Sequence, residues 1–457
     1  MNGNDGKNGK PKVVIIGGGF GGLQAAKMLA NREVEVTLID RKNHHTFQPL
    51  LYQVATAVLS PGEIASPIRR ILHRARNVEV LLGEVVDFDL ERRTVRLEQC
   101  VGESCELAFD YLIVAAGARH SYFGHDEWEN DAPGLKTVED AVEIRSRVLL
   151  AFELAERDAI LTGRHDPINF AIVGGGPTGV ELAGAIAGIA RLALSKDFKA
   201  IDTTKSRVML FEGSNRILNT FAEELSAAAL KDLEELGVEV HLNSLVTAIE
   251  PGRIEVGERW IDCEVALWAT GVAASPLGRK LGAETDRAGR VVVRPDLTVP
   301  GRANVFVIGD MASVTQENGE PVPGVAPAAM QMAENAAANI LRDLKSKERV
   351  PFRYVDKGSM ATIGRNKAIA EIGGWKFKGF IAWLMWLVIH VISLIGFRNR
   401  LYVLSSWFWA YLTRERNARL ITGDAEDLRD AMRFLQPPAA ATVASTAAER
   451  RTANAGQ

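Results

Sequence analysis

Two short stretches carry the residue types and spacing for chemistry on a dinucleotide. Gly17-Gly18-Gly19-Phe20-Gly21-Gly22 follows the apolar run "KVVII" and opens the Ala-rich "LQAAKMLA". It satisfies G-x-G-x-x-G at Gly17, Gly19 and Gly22. In such a turn the first glycine permits the tight bend and the second lets backbone approach a pyrophosphate. The third lets helix and strand pack closely, with the helix N-terminus facing negative charge. Asp40 ends the next apolar run, 23 residues after Gly17, where a carboxylate can bond ribose hydroxyls. Gly174-Gly175-Gly176-Pro177-Thr178-Gly179 repeats the pattern at Gly174, Gly176 and Gly179, and its acid, Glu212, comes 38 residues after Gly174. That spacing is long, and "RLALSKDFKAIDTTKS" reads as an insertion or helix extension. An acid at Glu212 favours the free 2′-hydroxyl of NADH over the 2′-phosphate of NADPH, with Arg216 nearby as the counterweight. Either turn alone could be a glycine-rich structural bend. The strand before, the helix after and the acid beyond set both as nucleotide sites.

The elements that must position these turns form an internal repeat of strand, glycine turn and helix. Three further apolar runs, at 111–118, 265–272 and 305–312, fit strands of the same sheets, and each ends in or beside a glycine. The fold class is therefore α/β, with two Rossmann-like domains and a C-terminal membrane-attachment region. The expected boundaries are 11–135 with 290–345, then 136–289, then 346–425. The ends, 1–10 and 437–457, read as disordered tails. With 47% hydrophobic and 24% charged residues the chain is globular, and a net charge of −3 gives no field for nucleic acid. No apolar leader opens it, and the histidines show no metal-ligand spacing. Three cysteines suit a reducing compartment rather than a disulfide scaffold. Two dinucleotide sites in one chain suggest two cofactors, and the simplest chemistry is hydride transfer from a nicotinamide to a flavin.

The paired turns, "VAAG" ending at Gly117, "WATG" ending at Gly271 and "VFVIGD" ending at Asp310 resemble the two-dinucleotide flavoprotein reductases. The segments "NHHTFQPLLYQVATAVLSPGEIASPIRRIL" (43–72) and 358–397 resemble bacterial type II NADH:quinone oxidoreductases more closely, and the likeness runs from about residue 11 to 425. That resemblance implies a non-pumping, FAD-containing NADH dehydrogenase on the cytoplasmic face of the membrane, commonly a homodimer, with ubiquinone or menaquinone as acceptor. It assigns Gly17, Gly19, Phe20, Gly22, Asp40, Arg41, Gly117, Gly309, Asp310 and Ala328 to FAD. It assigns Gly174, Gly176, Pro177, Thr178, Gly179, Glu181, Glu212 and Gly271 to NADH. Disulfide and sulfide reductases of the superfamily need cysteines beside the flavin. The C-x4-C pair here, Cys100 and Cys105, lies in a peripheral hairpin instead. A redox-sensing flavoprotein and a reductase of a soluble electron carrier are the competing functions.

Three residues are expected to act in the reaction. Glu181 matches the family's glutamate near flavin and nicotinamide, where it could orient the nicotinamide or assist proton transfer to quinone. It could equally complete a capping box with Thr178. Gln331 matches the second glutamine of the family's A-Q-x-A-x-Q pattern, whereas the first is replaced by Pro327, which has no amide to offer. A proline there also suits the first turn of a helix. Lys357 matches a family lysine whose charge could stabilise reduced flavin, or is a solvated surface group.

The uncharged run 379–397 could span a bilayer, lie on one or sit in a dimer seam. At ~1.5 Å per residue it reaches roughly 28 Å, close to a hydrocarbon core. The second run, 401–413, is too short to return. Trp383, Trp386, His390, Ser393 and Phe397 form one polar-aromatic stripe, while Leu384, Val388, Val391 and Ile395 lie elsewhere. Arg398, Arg400, Arg414, Arg416 and Arg419 flank the runs and suit anionic headgroups. The expectation is a monotopic helix lying in the interface over 379–419, with a single span second.

Overall fold

The computed structural model describes residues 9–98, 104–316, 319–413, 416 and 418–422. Residues 1–8 and 437–457 of the expected tails, Cys100 and Arg414 lie outside them. Packing divides the chain into two units. One contains the residues to Phe47, Ala65–Ser121 and Gly271–Lys357; the other contains Gln48–Ile64, Tyr122–Thr270 and the chain from Gly358.

The first unit is built on a six-stranded sheet in the order Thr298–Val299, Arg302–Val307, Tyr111–Val114, Lys12–Ile16, Glu35–Asp40, Val78–Leu82. All neighbours are parallel except Thr298–Val299. The strands are near-continuous apolar runs because both faces of a parallel sheet are covered. Val13, Ile15, Leu38 and Phe306 are fully buried. Helices Phe20–Leu29 and Ala326–Asp343 lie together, and a β-carbon on Gly21 would come within 3.4 Å of the Ala329 carbonyl.

The second unit repeats the plan with four parallel strands: Val238–His241, Arg207–Phe211, Asn169–Val173, Val265–Trp268. The helix that follows strand Asn169–Val173, Pro177–Gly188, runs on into a π-helix at Ile189–Ala193, and the chain then wanders to Arg207. This is the helix extension that the 38-residue spacing implies. Strand Ser359–Gly364, from the C-terminal meander, packs against this helix, where a β-carbon on Gly184 would strike the Ile363 carbonyl at 1.8 Å.

The packing boundaries depart from those read in the sequence. The crossing points fall at Ser121/Tyr122 and Thr270/Gly271, since Ala118–His120 pairs with Val272–Ala274 inside the first unit. The short segment Gln48–Ile64 and the C-terminal region pack with the second unit. Contacts over long sequence distances set these joins, and no local pattern marks them.

Candidate functional site

The two glycine turns have one geometry. Gly17 adopts φ +98° and Gly174 φ +111°, conformations open to glycine. A β-carbon on Gly22 would lie 1.8 Å from the Gly17 carbonyl, and one on Gly179 would lie 1.9 Å from that of Gly174. The third glycine is thus required by the turn itself. The middle glycines, Gly19 and Gly176, have open space where a β-carbon would stand. Each also sits at the N-cap of its helix with no side chain capping it. Free amides, a helix N-terminus and an empty approach fit a pyrophosphate in both places.

The acids close the turns identically. Asp40 accepts from the Gly18 amide at 2.5 Å and from Lys42 at 2.6 Å. Glu212 accepts from the Gly175 amide at 2.6 Å and from Ser214 at 2.8 Å. Arg216 donates to the carbonyls of Asn219 (2.7 Å) and Phe221 (3.3 Å). Its guanidinium is tied to its own loop. Phe20 stands edge-on to His45 and Phe47, Arg41 is exposed beyond Asp40, and Pro177 and Thr178 occupy the first positions of their helix.

Elsewhere in the first unit, Gly117 and Gly309 take φ +68° and +67°. The amides of Ala116 and Gly309 reach only methionine sulfurs, of Met311 and Met332, at 3.2 Å each. Sulfur is a weak acceptor, so these amides remain open to a better one. Asp310 follows Gly309 and faces Gly324. Helix Ala326–Asp343 begins uncapped with Pro327 in its first turn, as a proline-started helix does, leaving the amide of buried Ala328 as a first-turn donor. Gly271, with φ +73°, accepts from the Ser121 amide.

Gln331 is already engaged. Its amide donates to the Val355 carbonyl at 3.0 Å and accepts from the Val355 amide at 2.9 Å. That double bond pins the segment ending at Lys357, which is itself exposed. Both residues belong to the first unit.

Glu181 belongs to the second unit and does not cap its helix. The N-cap is Gly176, so the capping box expected at Thr178 and Glu181 is absent; Thr137 and Asp140 form one instead, at the start of Val138–Thr162. Thr178 stands two residues past the N-cap, because Pro177 already starts the helix. Glu181 is partly buried, and loss of hydration pushes its carboxyl up to about 8, against a long 3.4 Å bond from the Thr362 amide. Burial thus favours its neutral form.

Around it lie residues that sequence reasoning passed over. Tyr52 bonds Thr362 Oγ1 at 2.9 Å, Gln53 donates to the Tyr52 hydroxyl at 3.0 Å, and Trp407 Nε1 donates to Gln53 at 2.6 Å. Arg416 donates to the carbonyls of Thr56 (2.6 Å) and Ala185 (3.0 Å). The polarity of "YQ" inside an otherwise apolar run was the available clue.

The C-terminal region corrects the expectation of one helix over 379–397. It is not one helix of 19 residues but two, Gly379–Ser393 and Phe397–Thr413, broken where Leu394 is extended and Gly396 takes φ +90°. The second run, 401–413, lies within the second of these helices. No helix among the described residues is long and apolar enough to cross a membrane.

Of the expected stripe Trp386 is buried, Trp383 and His390 are half-buried, and Ser393 and Phe397 are exposed. Trp386 is 3% exposed, stacked on His390 at 4.1 Å and packed on Tyr52 and Trp407. Ring donors and large aromatic area find their partners in the protein. The outward residues are aliphatic and aromatic: Ile381, Leu384, Ile392, Phe408 and Leu412.

The arginines are mostly spent inside. Arg400 bonds the carbonyls of Leu394 and Ile392, closing the first helix. Arg416 is tied as above, and Arg419 bonds Ala193 and Asp197. Arg398 stays exposed, over the Tyr402 ring.

Cys263 is buried in an apolar cluster that pushes its thiol up to about 12, and Cys105 lies on the outer strand of a three-stranded sheet.

Fold and turns together define a two-dinucleotide oxidoreductase, and residues 11–333 match the pyridine nucleotide-disulphide oxidoreductase family. Residues 357–415 match the NDH2 C-terminal domain. The chain is 46% identical to the type II NADH:quinone oxidoreductase Ndh of Mycobacterium tuberculosis, over 96% of each chain. It is 30% identical to the type II NADH:quinone oxidoreductase of Haemophilus influenzae, over 79% of this chain and 86% of that one. The structure of NDH2 from Plasmodium falciparum in complex with NADH superposes with a TM-score of 0.82 at 20% identity, covering 91% of this chain and all of that one. The chain belongs to the type II NADH:quinone oxidoreductases, flavoproteins that use FAD and NADH.

Proposed function

We propose that this oxidoreductase, which passes electrons from NADH by way of FAD to a quinone, does so while resting on a membrane surface, with FAD at the first glycine turn and NADH at the second. The observation that carries this reading is the pair of equivalent turns, each open at its middle glycine and closed by an acid. Gly17, Gly19, Phe20, Gly22, Asp40 and Arg41 hold the adenosine and pyrophosphate side of FAD. The backbone at Gly117, Gly309 and Ala328, with the Asp310 carboxylate, holds the remainder. Gly174, Gly176, Pro177, Thr178, Gly179, Glu181, Glu212 and Gly271 serve NADH. Bound FAD supplies a two-electron relay that takes hydride on one side and gives electrons on the other.

Glu181, kept neutral by burial, offers an O–H to a developing negative charge or a proton to reduced quinone. Gln331 acts by holding Val355, and so the approach of the Lys357 ammonium. The tied Arg216 gives a 2′-phosphate no free cation, which supports NADH over NADPH.

Outward apolar faces on Gly379–Ser393 and Phe397–Thr413 support monotopic attachment through 379–419, since a quinone is dissolved in lipid. A reductase of a soluble carrier has no use for such faces. The cytoplasmic side of the membrane and a homodimeric assembly are proposed on the family resemblance.

The test uses the purified holoenzyme without oxygen. NADH bleaches the flavin, NADPH does so poorly, and added quinone restores the colour. Flavin reduced by NADH that no quinone reoxidises would refute the reading. Cosedimentation with phospholipid vesicles tests attachment, and replacing Ile381 and Ile392 by glutamate should abolish it.

A further inference from the structure

Within the second unit a polar chain leads from the apolar C-terminal helix to Glu181. Trp407 sits on the inward side of Phe397–Thr413, between the exposed Leu404 and Phe408. Its indole N–H donates to Gln53 Oε1 at 2.6 Å. The other end of that amide donates to the Tyr52 hydroxyl at 3.0 Å, which turns the Tyr52 hydrogen toward Thr362 Oγ1, 2.9 Å away. Thr362 then presents its own amide to Glu181. Gln53, Tyr52 and Thr362 are all buried, at 7%, 8% and 5% exposure. Indole and primary amide have fixed donor and acceptor ends, so the direction of the chain is set by chemistry. A second bond holds the same helix to the same segment, from Ser406 to Glu63 at 2.6 Å.

We propose that Tyr52 is a positioning residue for Glu181, and that through Gln53 and Trp407 it ties the Glu181 carboxyl to the seating of the C-terminal helix. The proposal rests on the role given to Glu181 above. A hydroxyl fixed on Thr362 holds that strand residue, and with it the one amide that faces the carboxyl. When the hydroxyl is lost the amide relaxes, the ionised carboxylate loses its donor, and Glu181 keeps its proton to higher pH.

The other charged groups around this helix are committed elsewhere. Arg416 bonds the carbonyls of Thr56 and Ala185, and Arg191 those of Leu236 and Gly237. Arg365 bonds the Tyr411 carbonyl, and Lys367 pairs with Asp232 and Glu235. Helix Glu223–Glu235 turns Leu225, Ser226, Ala229 and Leu233 inward, and strands Asn169–Val173 and Arg207–Phe211 bury apolar residues; on strand Val238–His241, Glu239 pairs with Arg207 and His241 stacks on Phe211. Tyr52 and the Thr362 amide are therefore the groups through which the site can be tuned.

The test is the pH profile of quinone reduction by the purified holoenzyme, with NADH and a short-chain ubiquinone, in four proteins. Wild type shows a limb near pH 8, and Glu181→Gln lacks it. Tyr52→Phe, which keeps the ring and removes both hydrogen bonds of its hydroxyl, and Trp407→Phe, which removes the indole donor to Gln53, move the limb upward by about half a pH unit or more. If Glu181→Gln keeps the limb, the role of Glu181 itself fails. If Glu181→Gln lacks it but Tyr52→Phe leaves it in place, the positioning proposal is overturned. A limb unmoved in Trp407→Phe overturns the link to the helix. Should Tyr52→Phe lose its flavin, Thr362 decides: Thr362→Val moves the limb as expected and Thr362→Ser leaves it, whereas equal profiles overturn the proposal.

Discussion

The first glycine turn, at Gly17–Gly22, and the second, at Gly174–Gly179, are the same device reached by different chain lengths. Their acids come 23 and 38 residues on, yet each carboxylate folds back onto the amide of the second residue of its turn. The extra residues leave the geometry untouched because they fall after the helix, where a loop can grow at little cost. The turns differ in what holds that residue's carbonyl. Gly18 is bonded by the His45 ring at 3.1 Å, and Gly175 by the Leu218 amide at 2.8 Å. What an acid closes is fixed by the turn, while what supports the turn from behind is left to each unit.

The largest test of this equivalence is the third glycine. Gly22→Ala and Gly179→Ala each put a methyl into a carbonyl of their own turn, which costs about 3 kcal/mol. Gly22→Ala should purify without flavin. Gly179→Ala should keep a yellow flavin that NADH no longer bleaches. The opposite pairing, read from the ratio of flavin to protein absorbance, would reverse the assignment of the two cofactors. The middle glycines should separate binding from stability. Ala fits at Gly19 and Gly176 in the free protein, so Tm should stay within about a degree or two while cofactor affinity drops roughly tenfold or more. A lower Tm with affinity intact would mean that neither space is for a pyrophosphate.

The turns were legible because a glycine's requirement is local: strand, bend, helix and acid lie within one stretch of chain. The surroundings of Glu181 were not. Thr362 and Tyr52 come to it from segments far apart in sequence, and an apolar run gives no sign of which side faces protein. The same limit misplaced the C-terminal arginines, whose partners are backbone carbonyls of Leu394, Thr56, Ala185 and Ala193. Periodicity put Trp386 and His390 on one face, but it could not tell inside from outside, and it carried the stripe on to Phe397, which lies in the next helix and is exposed. Gly396 was visible in the sequence, and its left-handed bend is what ends the idea of one 19-residue helix.

A smaller effect is expected from the second acid. Glu212→Ala removes the acceptor for the Gly175 and Ser214 amides and should raise the KM for NADH about tenfold, near 1.4 kcal/mol. NADPH should improve little, because Arg216 is bound to its own loop. A variant that accepts NADPH as readily as NADH would show that Arg216 is freer than its two bonds imply.

The smallest and most selective difference is titration. The His45 ring is buried, and loss of hydration holds it down to about 4 from an ordinary 6.5, despite its bond to Gly18. A group whose folded value is depressed binds its proton better in the unfolded chain. For a base such as imidazole this means the folded state is favoured in full above about 6.5, and loses that advantage as pH falls from there towards 4. The second turn has a backbone amide in the same place and nothing to titrate. Between pH 7 and 5.5 the enzyme should therefore lose flavin and Tm, while the KM for NADH of molecules that retain flavin changes less. His45→Gln, whose amide can still donate to Gly18, should flatten the acid slope of flavin retention. An unchanged slope in that variant would place the acid sensitivity elsewhere and leave the two turns equivalent in this respect as well.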